Sequence, residues 1–189
     1  RFRRDGDSYI LNGAKSLITN GSLANTYVVF ATQDPALRSR GICAFIVEGG
    51  SPGLHSQAIP GKMGMRASDT AQVFLEDVVV PPENRMGEED EGFMIAVRTL
   101  DTSRVSLAAQ CVGIAQGALE VGVSYAKERQ AFGNPIAEFQ AIQFMIADMA
   151  TRVQAARLLT WHAACLIDRG QPFVKEASMA KLFASEAAS

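Results

Sequence analysis

The spacing of apolar residues changes near residue 85. Before it, apolar positions come in short runs divided by turn-forming residues; after it, they recur at three- and four-residue steps. Ser8-Tyr9-Ile10-Leu11 reads as a strand. Asn12-Gly13, the strongest short-range hairpin signal, is expected to turn the chain into a second strand over residues 14–19. Asn20-Gly21 predicts a further turn. Residues 26–32 are β-branched and aromatic, as strands prefer. A polar loop over 33–41 leads to a strand over 42–48, and Gly49-Gly50-Ser51-Pro52-Gly53 breaks it. Residues 54–59 and 71–80 are two more strands, and Pro81-Pro82 ends the series. Short strands at this interval predict a small antiparallel barrel or sandwich.

Glu88-Glu89-Asp90-Glu91 is read as a solvated helix N-terminus, where the helix dipole favours acidic residues. From residue 92 to about 129 the stripe Val97, Leu100, Val105, Ala108, Val112, Ala115, Leu119, Val123, Ala126 predicts a long amphipathic helix. Gly113, Gly117, Ala118 and Gly122 place small residues where another helix can come close. A second helix over about 137–168 carries the stripe Phe139, Ile142, Ile146, Met149, Val153, Ala156, Leu159, Ala163, Leu166. Gly170 suits the C′ position of that helix, and Pro172 the first turn of a third helix over 173–189. Three such helices bury their stripes only against partners. The expected fold is α+β: a small antiparallel β-barrel or sandwich domain over residues 1–85, then long antiparallel helices of an incomplete four-helix bundle over 86–189.

The 189 residues are 48% hydrophobic, enough for one ordinary or two small domains. A net charge of −2 and a pI near 5.7 argue against a nucleic-acid scaffold. No uninterrupted apolar run approaches the roughly 20 residues of a membrane span, so none is expected. Cys43, Cys111 and Cys165 are odd in number and far apart, which predicts buried, reduced thiols and a reducing compartment. His55 and His162 have no second ligand at metal spacing, so no metal site is expected. The chain has no GxGxxG or GxxxxGK[ST] motif. Gly61-Lys62-Met63-Gly64 lacks the P-loop spacing, and two histidines leave little room for a hydrolytic triad. The opening on Arg1 and the close inside a helix-like run at Ser189 predict a segment of a longer protein.

The stretch Tyr125-Ala-Lys-Glu-Arg-Gln-Ala-Phe-Gly-Asn-Pro-Ile-Ala-Glu-Phe-Gln140 concentrates candidate chemistry. A helical pattern runs into Glu128-Arg129, breaks at Gly133-Asn134-Pro135 and restarts toward Gln140. A cation, an aromatic ring and an amide gather at one helix–helix corner, a grip suited to a flat, anionic ligand. The spacing alone establishes two helices and a tight connection.

Read with Tyr9-Ile-Leu-Asn-Gly-Ala-Lys-Ser-Leu-Ile-Thr-Asn-Gly21, Gly41-Ile-Cys-Ala-Phe-Ile-Val47, Lys62-Met-Gly-Met-Arg-Ala-Ser-Asp-Thr70, Phe74-Leu-Glu-Asp-Val78, Leu100-Asp-Thr-Ser-Arg104 and Glu128-Arg-Gln-Ala-Phe-Gly133, the corner closely resembles acyl-CoA dehydrogenases. The resemblance covers the middle β domain and the first part of the C-terminal helical domain. Leu158-Leu-Thr-Trp161 and Pro172-Phe-Val-Lys-Glu-Ala177 look most like the short-chain (butyryl-CoA) branch. It implies FAD-dependent α,β-dehydrogenation of short-chain acyl-CoA thioesters to trans-2-enoyl-CoA in fatty acid β-oxidation. Electrons would pass to electron-transfer flavoprotein from a homotetramer in the bacterial cytoplasm or the mitochondrial matrix.

Carried over by position, Leu17, Ile18 and Thr19 would wall the flavin, with Thr19 near N5; Leu17 departs from the usual Trp. Asp101, Thr102, Ser103 and Arg104 match the Asp-x-x-Arg substrate segment. Ser103 stands where one branch of the family has its catalytic Glu, so the base is expected beyond Ser189, in a Tyr-Glu-Gly-Thr motif. No catalytic residue is expected in this chain, and the isolated 189 residues are expected not to turn over acyl-CoA. Arg129 would pair with the FAD pyrophosphate, Phe132 would pack by the adenosine and Gln140 would hydrogen-bond the cofactor, all serving a neighbouring subunit's flavin. Two rival readings keep the fold: an acyl-CoA oxidase-like flavoenzyme, and a non-catalytic truncated binding or assembly module.

Overall fold

In a computed structural model describing residues 1–189, the chain forms nine strands, seven of them in the β-rich part. These are β1 (Phe2–Asp5), β2 (Ser8–Thr19), β3 (Thr26–Thr32), β4 (Ile42–Glu48), β5 (Leu54–Ala58), β6 (Thr70–Val80), β7 (Arg85–Met86) and, beyond the first helix, β8 (Gln130–Ala131) and β9 (Asn134–Pro135). The three α-helices are α1 (Gly92–Glu128), α2 (Gln140–Asp168) and α3 (Val174–Ala187). The chain packs as two compact units, Arg1–Val97 and Arg98–Ser189, so α1 begins in one and continues into the other.

Two antiparallel sheets make the first unit, one ordered β1-β2-β6-β5 and the other β3-β4-β7. Phe2, Tyr9, Leu11, Leu75, Val78 and Val80 from the first sheet share one core with Val29, Ala31, Cys43, Phe45 and Val47 from the second. This is a sandwich, not a closed barrel. Phe2, Tyr9 and Phe45 form a triangle of tilted and edge-on rings with centroids 5.0–5.7 Å apart, the geometry aromatic quadrupoles prefer.

The hairpin expected at Asn12-Gly13 does not form. β2 runs unbroken through both residues, and the register shift between Leu11 and Gly13 marks a bulge against β6. Asn12 uses its amide differently: Nδ2 donates to Asp77 Oδ1 and Oδ1 accepts from the Asp77 N–H, each at 2.9 Å. The true hairpin lies upstream, where Asp5 pairs with Ser8 and Gly6 takes φ 59. Glycine at the first central position of a two-residue loop meets that demand without strain.

Within the second unit the helices pack antiparallel. Gln116 of α1 meets Arg157 of α2, while Gly122 lies against Met149. The shared core is Val105, Ala108 and Val112 of α1, Ala156 and Ala163 of α2, and Ala177, Ala180 and Ala184 of α3. Leu100, assigned to the α1 stripe, is exposed, and so is Cys165, expected to be a buried thiol; Cys111 is half-buried. Gly113 and Gly117 face open space rather than a closely approaching helix.

α2 ends as Gly170 predicts: φ is 63, Gly170 N–H donates to Ile167 O and Gln171 N–H to Leu166 O, a Schellman cap. Pro172 stands outside α3, which begins at Val174 after Phe173. α1 is long and apolar enough to cross a membrane by length and composition alone. Part of its apolar stripe faces a helical core, while Leu107, Ile114 and Val121 stay exposed, and its Gln116 and Asp101 hold polar partners within that unit.

Candidate functional site

The β2 strand carries the first candidate segment. A second irregularity, between Lys15 and Ile18, places Leu17 in the bulge at φ 58 with its side chain 73% exposed. A bulky residue there is strained and projects apolar surface into solvent, an outlier of the kind found at binding sites. Ile18 and Thr19 rejoin the ladder opposite Ala71 and Thr70; Ile18 is half-buried and Thr19 exposed.

The following turn is locked. Asp69 accepts from Ser22 N–H and Oγ at 2.9 and 2.8 Å, and Asn20 N–H donates to Asp69 O. The two bonds from Ser22 hold the Asp69 carboxyl below the usual carboxylate range. Gly21 sits where a Cβ would lie 2.9–3.1 Å from Ile18 and Ala71, so the tight turn needs glycine.

The second segment opens α1's run through the helical unit. Asp101 and Arg104 pair with each other, Nη1 to Oδ1 at 3.0 Å, and Asp101 is buried. Thr102 and Ser103 are exposed, their hydroxyls bonded back to Arg98 O and Leu100 O. The ion pair expected of residues one turn apart is thus present, and it leaves Arg104 half-exposed.

The third segment is not a plain helix–helix connection. β8 and β9 form a miniature hairpin with Phe132 and Gly133 at its tip, at φ 50 and 86. Two successive positive φ values belong to a type I′ turn. The turn lifts Phe132 out of the fold: it is 97% exposed, its ring edge-on to Phe139 at 6.2 Å. Arg129 is exposed beside it and enters none of the chain's ion pairs. Gln140, exposed, is the first residue of α2. Arg129, Phe132 and Gln140 therefore lie on one short hairpin and its exit.

Sequence reasoning missed three contributors. Glu89 is no solvated helix-start residue. Its Oε1 accepts from Tyr9 Oη at 2.9 Å and Arg4 Nε at 2.7 Å, and its carbonyl accepts from the Cys43 thiol. Arg85 Nη1 donates to Tyr9 Oη at 3.0 Å. Burial pushes the Glu89 carboxyl up, but the bonds from Tyr9 and Arg4 outweigh it and hold it below its ordinary value. Beside it, burial first and the Glu89 charge second push the Cys43 thiol up to about 11, so it stays protonated.

Lys62 is the second: its ammonium donates to Met65 O, Ser68 O and Thr70 Oγ1, knitting the 61–69 loop together. The third is Ser178, which binds Arg104. No local sequence pattern marks any of the three, because each partner comes from a distant part of the chain or a loop without periodicity.

Comparison with known proteins agrees with this architecture. Residues 1–78 match the acyl-CoA dehydrogenase middle domain and residues 90–189 the acyl-CoA dehydrogenase C-terminal domain. The chain belongs to the acyl-CoA dehydrogenase family. It is 52% identical to the mitochondrial short-chain specific acyl-CoA dehydrogenase of Bos taurus over 98% of its own length and 45% of that protein's. The solved butyryl-CoA dehydrogenase of Megasphaera elsdenii superposes with a TM-score of 0.94 at 45% identity, covering 98% of this chain and 49% of that one. A chain in the structure of the electron transferring flavoprotein of Acidaminococcus fermentans gives 0.94 at 53% identity, over 98% and 49%. The chain spans about half the length of the relatives it matches.

Proposed function

We propose that this chain forms part of an FAD-dependent short-chain acyl-CoA dehydrogenase that passes electrons to electron-transfer flavoprotein. The observation that carries the reading is the Arg129–Gln140 corner, where an unpaired guanidinium and a nearly fully exposed aromatic ring stand on one rigid turn. A dinucleotide with a pyrophosphate and a flat base fits that pair: the guanidinium supplies charge-assisted bonds to phosphate oxygens, the ring a stacking face. Arg129, Phe132 and Gln140 would hold the adenosine-diphosphate side of a neighbouring subunit's FAD; Leu17, Ile18 and Thr19 would wall the ring system of this subunit's own. When bound, FAD supplies the hydride acceptor for the substrate's β-carbon.

The chain's own residues do the positioning. The Leu17 bulge presents an apolar edge, the clamped turn after Thr19 holds its backbone in place, and Asp101–Arg104 contributes a half-exposed cation to the acyl-CoA site. The domain division at residues 85 and 86, a homotetramer, and residence in a bacterial cytoplasm or a mitochondrial matrix complete the proposal. The names of the bovine relative and of the structures above support the short-chain substrate and the flavoprotein partner.

The test is the protein carrying this chain at the length of its relatives, purified and assayed with butyryl-CoA. Flavin absorbance, with electron-transfer flavoprotein reduced faster than peroxide appears, is expected. Peroxide as the main product would make it an oxidase, and a colourless protein that cannot be reconstituted with FAD would sink the cofactor assignment. Arg129→Ala is expected to weaken FAD retention about tenfold or more, the scale of a lost charge-assisted bond.

A further inference from the structure

The Asp101–Arg104 pair has a third member on another helix. Arg104 Nη1 lies 3.0 Å from Asp101 Oδ1 and donates at 2.8 Å to Ser178 Oγ. Ser178 Oγ in turn donates its only proton to Val174 O, one turn back on α3, at 2.7 Å. The hydroxyl is therefore oriented, with a lone pair left for the guanidinium.

The two contacts are short, and they join α1 to α3 through the Arg104 side chain. Ala177 and Ala180, flanking Ser178, are fully buried in the seam with Val105 and Ala108, the α1 residues just after Arg104. The alanines seat α3 closely against α2, and the length of the Arg104 side chain carries its guanidinium from α1 to Ser178. Nη1 carries two hydrogens, one for Asp101 and one for Ser178, so that nitrogen is fully occupied. Nε and Nη2 make no hydrogen bond, and the side chain is 39% exposed. The Nε–Nη2 edge is the one that binds a carboxylate, phosphate or carbonyl oxygen side-on.

We propose that Ser178 is a positioning residue: with Asp101 it pins one edge of the Arg104 guanidinium and so presents the opposite edge to an oxygen acceptor in the acyl-CoA site. The inference rests on the reading above that residues 101–104 face the substrate. Asp101 alone fixes a distance but not a plane, since the pair can swivel about its single contact. The second anchor, from a different helix, fixes the plane and ties it to the packing of the Ala seam.

The experiment is steady-state kinetics on the flavin-loaded, full-length enzyme with butyryl-CoA, using Ser178→Ala, Ser178→Thr, Arg104→Ala and the Ser178→Ala/Arg104→Ala double variant. Thermal unfolding and flavin content are measured in parallel. Ser178→Ala is expected to lower kcat/KM about tenfold, the scale of one bond to a charged group, with flavin content unchanged. Ser178→Thr, which restores the hydroxyl, is expected to recover most of that loss. In the Arg104→Ala background, Ser178→Ala is expected to have no further kinetic effect, the signature of action through Arg104.

Equal kcat/KM losses from Ser178→Ala with and without Arg104 would overturn the proposal, as would a lower Tm with unchanged kinetics. If Arg104→Ala itself leaves kcat/KM unchanged, the substrate-facing reading of residues 101–104 falls, and this inference with it. If Arg104→Ala is damaging but Ser178→Ala is not, only the positioning role falls.

Discussion

The two units solve the packing problem in opposite ways. The sandwich core is made of large side chains, Phe45, Leu11, Val47, Leu75, Val78 and Val80, each almost wholly removed from water. The helical core is made largely of alanine, at Ala108, Ala156, Ala163, Ala177, Ala180 and Ala184. There the large residues lie outside: Ile114, Val121, Tyr125, Phe144, Met145 and Trp161 are all exposed. A sandwich of two facing sheets closes over its own apolar surface. Three helices joined through an alanine seam bury one stripe and leave the rest uncovered, well beyond the scattered apolar residues normal on a surface. One unit is stabilised chiefly by volume and the other by close approach.

Substitutions can break this contrast. The largest effect is expected from Phe45→Ala, which removes one of the three rings of the aromatic triangle, itself wholly buried. It should cost the sandwich about 3–5 kcal/mol, read by urea unfolding, with helical circular dichroism following only as far as the units are coupled. A loss under about 1 kcal/mol would show a core that collapses around the cavity. Ala180→Leu tests the opposite mechanism: three added heavy atoms should force α3 outward and cost about 1–3 kcal/mol. A neutral result would mean that the seam is loosely packed.

The Glu89 network sharpens the comparison, since it secures the start of α1 on the sandwich. Gly92 there has no room for a side chain: a Cβ would lie 2.5 Å from the Cys43 carbonyl carbon. Glu89→Gln is expected to cost about 1 kcal/mol through lost charge-assisted bonds. It should also speed hydrogen exchange in the first turn of α1. The pH dependence has a definite sign. The folded carboxyl titrates below its ordinary value, so its contribution is complete above the unfolded glutamate pKa and is lost as pH falls through the folded one. Wild-type protein should therefore lose more stability than Glu89→Gln between neutral pH and the acid range. Parallel curves would remove Glu89 from the network.

The smallest effect is expected at the uncovered helical surface. Ile114→Ser should change the stability of the isolated 189 residues by no more than about 0.5 kcal/mol. In the proposed homotetramer the same change should weaken association, seen as a shift in sedimentation. A large loss in the isolated chain would show that Ile114 is covered there after all.

How much of this was legible beforehand depended on how local the signal was. The strands over 26–32 and 42–48 and the cap at Gly170 depend on neighbours in sequence, and they appear where the pattern places them. Asn12-Gly13 misled because its turn chemistry is real but satisfied by Asp77, 65 residues away. The candidate residues could be named by resemblance; the sequence held no sign that Leu17 and Phe132 stand at positive φ. Nor did it show that Asp101 and Arg104 share a third partner.

By itself, then, the sequence determined the switch from β to helical period, most element positions and the family words at Leu17–Thr19, Asp101–Arg104 and Arg129–Gln140. Those features are written in residues a few positions apart. The tertiary structure decided which polar groups meet: Asn12 with Asp77, Glu89 with Tyr9 and Arg4, Arg104 with Ser178. Such contacts are set by how sheets face and helices approach, and a buried donor or acceptor takes whatever partner that packing brings within about 3 Å.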